Sequence, residues 1–206
     1  MFAVIMAYIW KFRFTHPRFW LPAAGMILIS QIARYEGPPA LGFRATNFRI
    51  CAHRFGPTMI GLALALLSVG LLFGTIRPIG FERAIGVFAL YLPWGLFQQY
   101  LLNGYFLKRL DMTLSPHWAT ILASVLFSAV HSPNWFLMVV TLIAGYGAIW
   151  VYRRHEDLYF LGLAHAVIGS LLFMVVPDSV SHHLNIGPGF HATVASLQAG
   201  LFLAHQ

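Results

Sequence analysis

The sequence predicts an all-α, polytopic transmembrane helical bundle of six to seven helices, built as a single integral membrane domain, and three observations predict it. Of its 206 residues 59% are apolar and only 9% are charged, whereas a soluble domain carries about 25% charged residues; there is too little charge to cover a water-facing surface. Long intervals lack Lys, Arg, Asp and Glu altogether: 22 residues between Arg54 and Arg77, 24 between Arg83 and Lys108, 41 between Asp111 and Arg153, and 20 between Asp157 and Asp178. About 20 apolar residues cross the hydrocarbon core. The cations are grouped between those intervals, where positive charge flanks membrane spans.

Taken in order, MFAVIMAYIW has neither a basic start nor a small-residue cleavage site. It is expected to be retained, not removed as a signal peptide, and is too short to span, so an interfacial position follows. A short helix is expected over 19–34, then a loop over 35–55 carrying EGPP, with Arg34, Arg44, Arg49 and Arg54 nearby. Helices follow over 57–76, 84–107, 117–130, 134–152 and 158–176, with an apolar final segment over 190–206. Pro93 is expected to kink its helix, and Pro133 to separate two helices. Trp10, Trp20, Trp94, Trp118, Trp135, Trp150 and Tyr152 sit near helix ends and read as interfacial anchors.

Loops after the first, third and fifth of these spanning helices hold eight Lys and Arg residues against five on the other side, which places the Lys108-Arg109 and Arg153-Arg154 loops in the cytoplasm. The net charge of +7 fits anionic lipid head groups at those loops and not nucleic acid. The single cysteine, Cys51, forms no internal disulfide. Lys108-Arg109 reads as a stop-transfer flank, and Glu156-Asp157 beside Arg153-Arg154 as a loop ion-pair cluster of little energetic weight.

The segment FQQYLLNGYFLKRL sets Gln98, Gln99 and Asn103 into an otherwise apolar run. Gln99 and Asn103 are four apart and share a helix face, while Gln98 lies about 100° round. An amide in hydrocarbon needs hydrogen-bond partners, so this face must look into the bundle. Further on, Phe127 and His131 are one turn apart, Ser132-Pro133-Asn134 opens the next helix, and Gly162, Ala166 and Gly169 make a stripe of small residues bordered by His165. Small residues at this spacing let two helices approach closely. Interhelical glue is the plain reading of any one amide. Two intramembrane histidines with three amides form a polar cluster that a purely structural bundle does not need.

Order and spacing resemble the CPBP family, the CAAX-protease and bacteriocin-processing (Abi) intramembrane proteins. Its pattern is Glu-Glu-x-x-x-Arg, then Phe-x-x-x-His, then His-x-x-x-Asn; the matching residues here are Gln98-Gln99-x-x-x-Asn103, Phe127-x-x-x-His131 and His165-x-x-x-Gly169. The family-like core runs over about 84–176. The resemblance implies a CAAX-protease-like endopeptidase acting in or at the membrane, in which a glutamate activates water and the histidines and asparagine position groups around the carbonyl. Both histidines are kept here, and both glutamates, the arginine and the final asparagine are lost. A carboxylate takes a proton from water; a neutral amide does not.

Three readings follow. The first is a hydrolase with His131 or His165 as general base and Gln98, Gln99 and Asn103 donating to an oxyanion, with Phe127, Asn134 and Gly169 at the substrate. The second is an inactive binding or scaffold protein of the same fold. The third is a repurposed enzyme acting on a lipid or isoprenoid, with a metal held by His131, His165 and a histidine of the Ser181–His191 loop. No metal and no cofactor is the expectation, since no His-x-x-x-His pair lies on one helix and no carboxylate lies in a span. Expected partners are membrane lipids and a membrane-bound peptide or lipid-like substrate, not nucleic acid, and the expected location is a bacterial inner (plasma) membrane.

Overall fold

In hydrocarbon every backbone N–H and C=O must find its partner inside the segment, which leaves helices as the solution for these apolar runs. A computed structural model describes residues 1–204, with side chains to Ser196. Among the described residues all regular structure is helical, without strands. We number eight principal helices. α1 covers 2–15 and includes a π turn at Tyr8–Phe12; α2 is Trp20–Ile32 and α3 is Ala45–Leu72. α4 is Phe81–Leu110, α-helical to Gln99 and wound as a π-helix over Tyr100–Leu107. α5 is Pro116–Ala129, α6 Trp135–His155, α7 Leu158–Val175 and α8 Pro188–Ala204. Four stretches are long and apolar enough to span: Pro38–Leu72, Phe81–Leu110, Trp135–His155 and Leu158–Val175. The protein is an integral membrane protein.

α3 begins twelve residues earlier than the sequence suggested, with Pro57 inside it. A proline in a membrane helix removes one donor, and the neighbouring turns re-satisfy the freed carbonyl. α8 starts at Pro188 and not at 190, and His205 and Gln206 lie outside the described residues. α1 is not alone in the interface: its Ile9 covers Gly187, whose φ of +59° is open to glycine, and Trp10 lies 6.5 Å from His191.

α4 and α7 form the closest pair, and the glycines explain why. A Cβ on Gly162 would stand 2.9 Å from the Leu96 Cα, and one on Gly95 would stand 2.8 Å from the Gly162 carbonyl oxygen. The small-residue stripe is thus the seam along which the two backbones meet. α5 and α6 form an antiparallel hairpin through a turn with a cis Ser132-Pro133 bond. Cys51, Leu102, Leu107, Ile149, Leu158 and Leu161 are buried where α3, α4, α6 and α7 converge.

The helix ends are tied by charge. Arg77 reaches over to the end of α7: its Nη1 donates to Asp178 at 2.7 Å, its Nη2 also meets Asp178, and its Nε donates to the Phe173 carbonyl. On the opposite face Arg109 forks onto Glu36 at 2.6 and 2.8 Å, Arg153 onto Asp111 at 2.7 and 3.2 Å, and Arg44 pairs with Glu156 at 3.1 Å. Lys108-Arg109 is therefore more than a flank, since Arg109 also donates to Gln31 and lies over the Tyr105 ring. Residues 153–157 are not a local cluster either. Asp157 is buried and caps α7 by accepting from Phe160 N–H at 2.9 Å, Arg153 goes to Asp111, and Arg154 folds back onto Trp150 of its own helix. Burial pushes the Asp157 carboxyl up, against the pull of the Phe160 and Tyr159 N–H groups.

Candidate functional site

The α4 amides sit where the helix changes winding. Pro93 lies inside the helix about a turn and a half before Gln98, and the π segment begins at Tyr100, immediately after Gln99. A π-wound turn redirects side chains and is frequent at functional sites. Across that change Asn103 Nδ2 donates to Gln99 Oε1 at 2.9 Å, and Gln99 Nε2 meets His165 Nδ1 at 3.2 Å. Asn103 and Gln99 are buried and His165 is half-buried, on the α4–α7 seam.

This is a directed chain. With Gln99 Oε1 accepting from Asn103, the Gln99 Nε2 faces His165, and an amide nitrogen only donates. His165 Nδ1 is then the acceptor, and its proton resides on Nε2. Reversing both amides would reverse the tautomer. A glutamate at 99 would accept instead, drawing a proton onto Nδ1 and leaving Nε2 as the basic atom. The substitution thus changes what His165 presents.

His131 has the opposite tautomer. Its Nδ1 lies 2.8 Å from the Phe127 carbonyl oxygen, which can only accept, so Nδ1 carries the proton and Nε2 carries the lone pair. The residue is 7% exposed, and its ring stands edge-on to Phe127 at 5.3 Å. Phe127 is held in turn by the notch at Gly145, where a Cβ would come 3.0 Å from the Phe127 ring. No hydrogen bond joins His131 to the amide chain among the described residues. Neither Nε2 has an intramolecular hydrogen bond among the described residues.

Two acceptors in the cluster are buried without partners, Gln98 Oε1 and Asn103 Oδ1. A buried unpaired polar atom costs about 1–3 kcal/mol, so each of these oxygens calls for a hydrogen-bond donor. Asn134 is different. Its Nδ2 donates to the Ser181 and Asn185 carbonyls at 2.9 and 3.0 Å, and its Oδ1 accepts from Leu137 N–H at 3.1 Å. It caps α6 and ties the 181–187 loop to the turn after His131, which Gly187 N–H also joins through the Ser132 carbonyl. Both ends of its amide are occupied.

At Gly169 the seam is filled from the other side. A Cβ there would lie 2.7 Å from the Tyr91 ring and 3.7 Å from His165 Cδ2. Tyr91 of α4 occupies the room a larger side chain at 169 would take, and lies beside His165. Sequence reading passed over Tyr91, which stands seven residues before Gln98; that spacing, two helical turns on one face, was the available signal. It also passed over Gln31, a buried amide of α2 whose Nε2 donates to Tyr100 Oη at 2.7 Å and whose Oε1 accepts from Arg109.

The loop histidines are engaged elsewhere: His183 Nδ1 meets Asp178 at 2.8 Å, and His182 packs on Phe190 with ring centres 4.6 Å apart. Among the described residues no three His, Cys, Asp or Glu side chains converge as a metal site.

Residues 80–171 match the family model described as type II CAAX prenyl endopeptidase Rce1-like, a stretch containing Gln98, Gln99, Asn103, Phe127, His131, His165 and Gly169. No curated protein and no solved structure matches the chain. Over that stretch, less than half of the chain, the protein is similar to the Rce1-like family of type II CAAX prenyl endopeptidases.

Proposed function

We propose that the protein is a hydrolase that cleaves a carbonyl bond in a membrane-embedded or lipid-linked, peptide-like substrate, and that it divides the work between two neutral histidines. The observation that carries this reading is that His131 Nδ1 meets a carbonyl oxygen and His165 Nδ1 meets an amide nitrogen, partners that favour a lone pair on His131 Nε2 and a proton on His165 Nε2. His131 Nε2 takes a proton from water as the resulting hydroxide adds to the substrate carbonyl. His165 Nε2–H donates to the oxygen as it becomes an oxyanion, and Gln98, whose Nε2 has no intramolecular hydrogen bond among the described residues, supplies a second donor. Collapse of the tetrahedral intermediate expels the leaving amine or alkoxide, which takes the proton from His131 Nε2. Donors preorganised in a dry site are worth more than in water, which supports a site without carboxylates. Gln99 and Asn103 act through His165 and are positioning residues.

The test is reconstituted protein incubated with lipid-anchored peptides and esters in ¹⁸O-labelled water, with products read by mass spectrometry. His131→Ala is expected to lower turnover by about 10²- to 10⁴-fold, the usual contribution of a general base. His165→Ala lowers it by a similar factor, about 10²- to 10³-fold for a lost oxyanion donor. The Tyr91 ring at Gly169 and the missing carboxylates favour a second reading, a binding protein without turnover. Cellular function that survives both alanine substitutions establishes that second reading and removes the first.

A further inference from the structure

Outside the amide–histidine cluster, the open end of the α5–α6 hairpin has a recess of about 240 Å³ lined by Pro116, His117, Thr120, Tyr146, Trp150, Arg153 and Arg154. The two arginines differ. Arg153 is spent on structure: it forks onto Asp111 and also donates to Thr120 Oγ1 at 3.0 Å and to the Pro116 carbonyl at 3.0 Å. Arg154 has no carboxylate partner among the described residues. Its Nη1 donates to the Trp150 carbonyl at 2.8 Å and its guanidinium lies flat over the Trp150 ring at 3.5 Å. Its Nη2 and Nε bear no hydrogen bond within the chain among the described residues.

We propose that this recess binds the phosphate of an anionic phospholipid head group from the leaflet beside it. Charge complementarity carries the proposal. The Asp111 carboxylate is cancelled by Arg153, so Arg154 is the uncancelled charge on the recess, and Trp150 fixes its fork instead of leaving it mobile. A guanidinium held in plane presents paired N–H groups matched to phosphate oxygens. The start of α5 adds to it. Ser115 makes no side-chain cap bond, so the first-turn N–H groups after Pro116 in this fourteen-residue helix are left without a side-chain partner at the positive end of the dipole. Position commits the source to a lipid. Trp118 and Trp150, 61% and 45% exposed, stand at the ends of apolar helices as interfacial anchors do, which puts the recess at head-group depth with Tyr146 one turn further into the membrane.

The full chain is reconstituted in nanodiscs of phosphatidylcholine with a minor fraction of phosphatidylglycerol, and retained lipid is counted by native mass spectrometry. One phosphatidylglycerol per chain is expected to survive at activation energies that strip phosphatidylcholine. Arg154→Gln should reduce its retention about fivefold, the weight of one cation at a membrane surface, while Arg54→Gln on the same face leaves it unchanged. Arg154→Lys, which keeps the charge without the stacked fork, should fall between and serves if the glutamine variant does not fold. Equal losses in the Arg54 and Arg154 variants would show a diffuse surface potential and overturn the site. Displacement by millimolar inorganic phosphate, with no preference between the two lipids, would make it a free-phosphate site and overturn the lipid assignment.

Discussion

The two ends of the bundle and its middle are held by different chemistry. At the ends, carboxylates meet arginines: Glu36 with Arg109, Asp111 with Arg153, Glu156 with Arg44, Asp178 with Arg77. In the middle, Asn103, Gln99 and His165 make a chain of neutral groups, and no carboxylate occurs within the four spanning segments apart from Glu82, in the first turn of α4. The difference follows the solvent. An ion pair at a helix end keeps water or head groups around it, whereas an unpaired carboxylate at mid-depth would have to be desolvated. Neutral amides fix the positions of the site side chains without that penalty, and by donating where a carboxylate would accept they also choose the histidine tautomer.

The strongest way to break the middle is to part α4 from α7. Gly162→Leu drives a side chain into the Leu96 backbone, and destabilisation by about 1–3 kcal/mol or more is expected for such overpacking. Gly86→Ala, on the same α4 where a Cβ meets nothing within 4 Å, should gain up to about 1 kcal/mol from helix propensity. Thermal unfolding in one detergent compares the two. Next in size is Gly169→Asn, which meets the Tyr91 ring and should cost a comparable or smaller amount; Tyr91→Ala with Gly169→Asn should recover most of it. Failure of the double variant to recover would mean that Tyr91 does not fill this space.

Asn103→Leu tests the amide chain itself. It leaves Gln99 Oε1 buried without its donor, at about 1–3 kcal/mol. Gln99→Glu tests its direction: ¹⁵N shifts of His165 should move the proton from Nε2 to Nδ1. Unchanged shifts would deny Gln99 control of the tautomer.

The smallest effect belongs to the ends. Glu36→Gln removes the fork to Arg109 and should cost up to about 1 kcal/mol. Arg109, by hydrogen bonding, holds the Glu36 carboxyl below its ordinary value despite partial burial. The folded chain therefore gives up that proton more readily than the unfolded chain, so the tie is fully present above the ordinary glutamate pKa of about 4.3 and is lost as pH falls through the lowered folded value. A pH series should show wild type losing stability below about pH 4 more steeply than Glu36→Gln does.

The legible part of this molecule was the part written in short-range spacing. Gln99 and Asn103 are four apart, and their bond follows from helix geometry even across the π winding. Phe127 and His131 are also four apart, and the hydrogen bond between them is of the same local kind. The Gly162–Gly169 stripe announced a close helix partner without saying which helix. Long-range pairs were not legible: Arg109 with Glu36 and Arg77 with Asp178 join residues separated by 73 and 101 positions, and nothing local marks them. Asn134 caps α6 with both ends of its amide in use, and its bonds to the Ser181 and Asn185 carbonyls reach residues that nothing local marks.

By itself the sequence determined that this chain lives in the membrane, because 9% charge cannot clothe a soluble surface, and that its interior polar groups must gather, because lipid offers them no partners. It also determined that the polar groups of the α4 span, Gln98, Gln99 and Asn103, are neutral. Only the tertiary structure decided which atom of each histidine is basic, since a tautomer is set by the partner on the other ring nitrogen: a carbonyl for His131, an amide N–H for His165. It decided too that Tyr91 closes the space beside Gly169, because that contact depends on how near α4 and α7 come, a distance set by packing along the whole seam and not by any one residue.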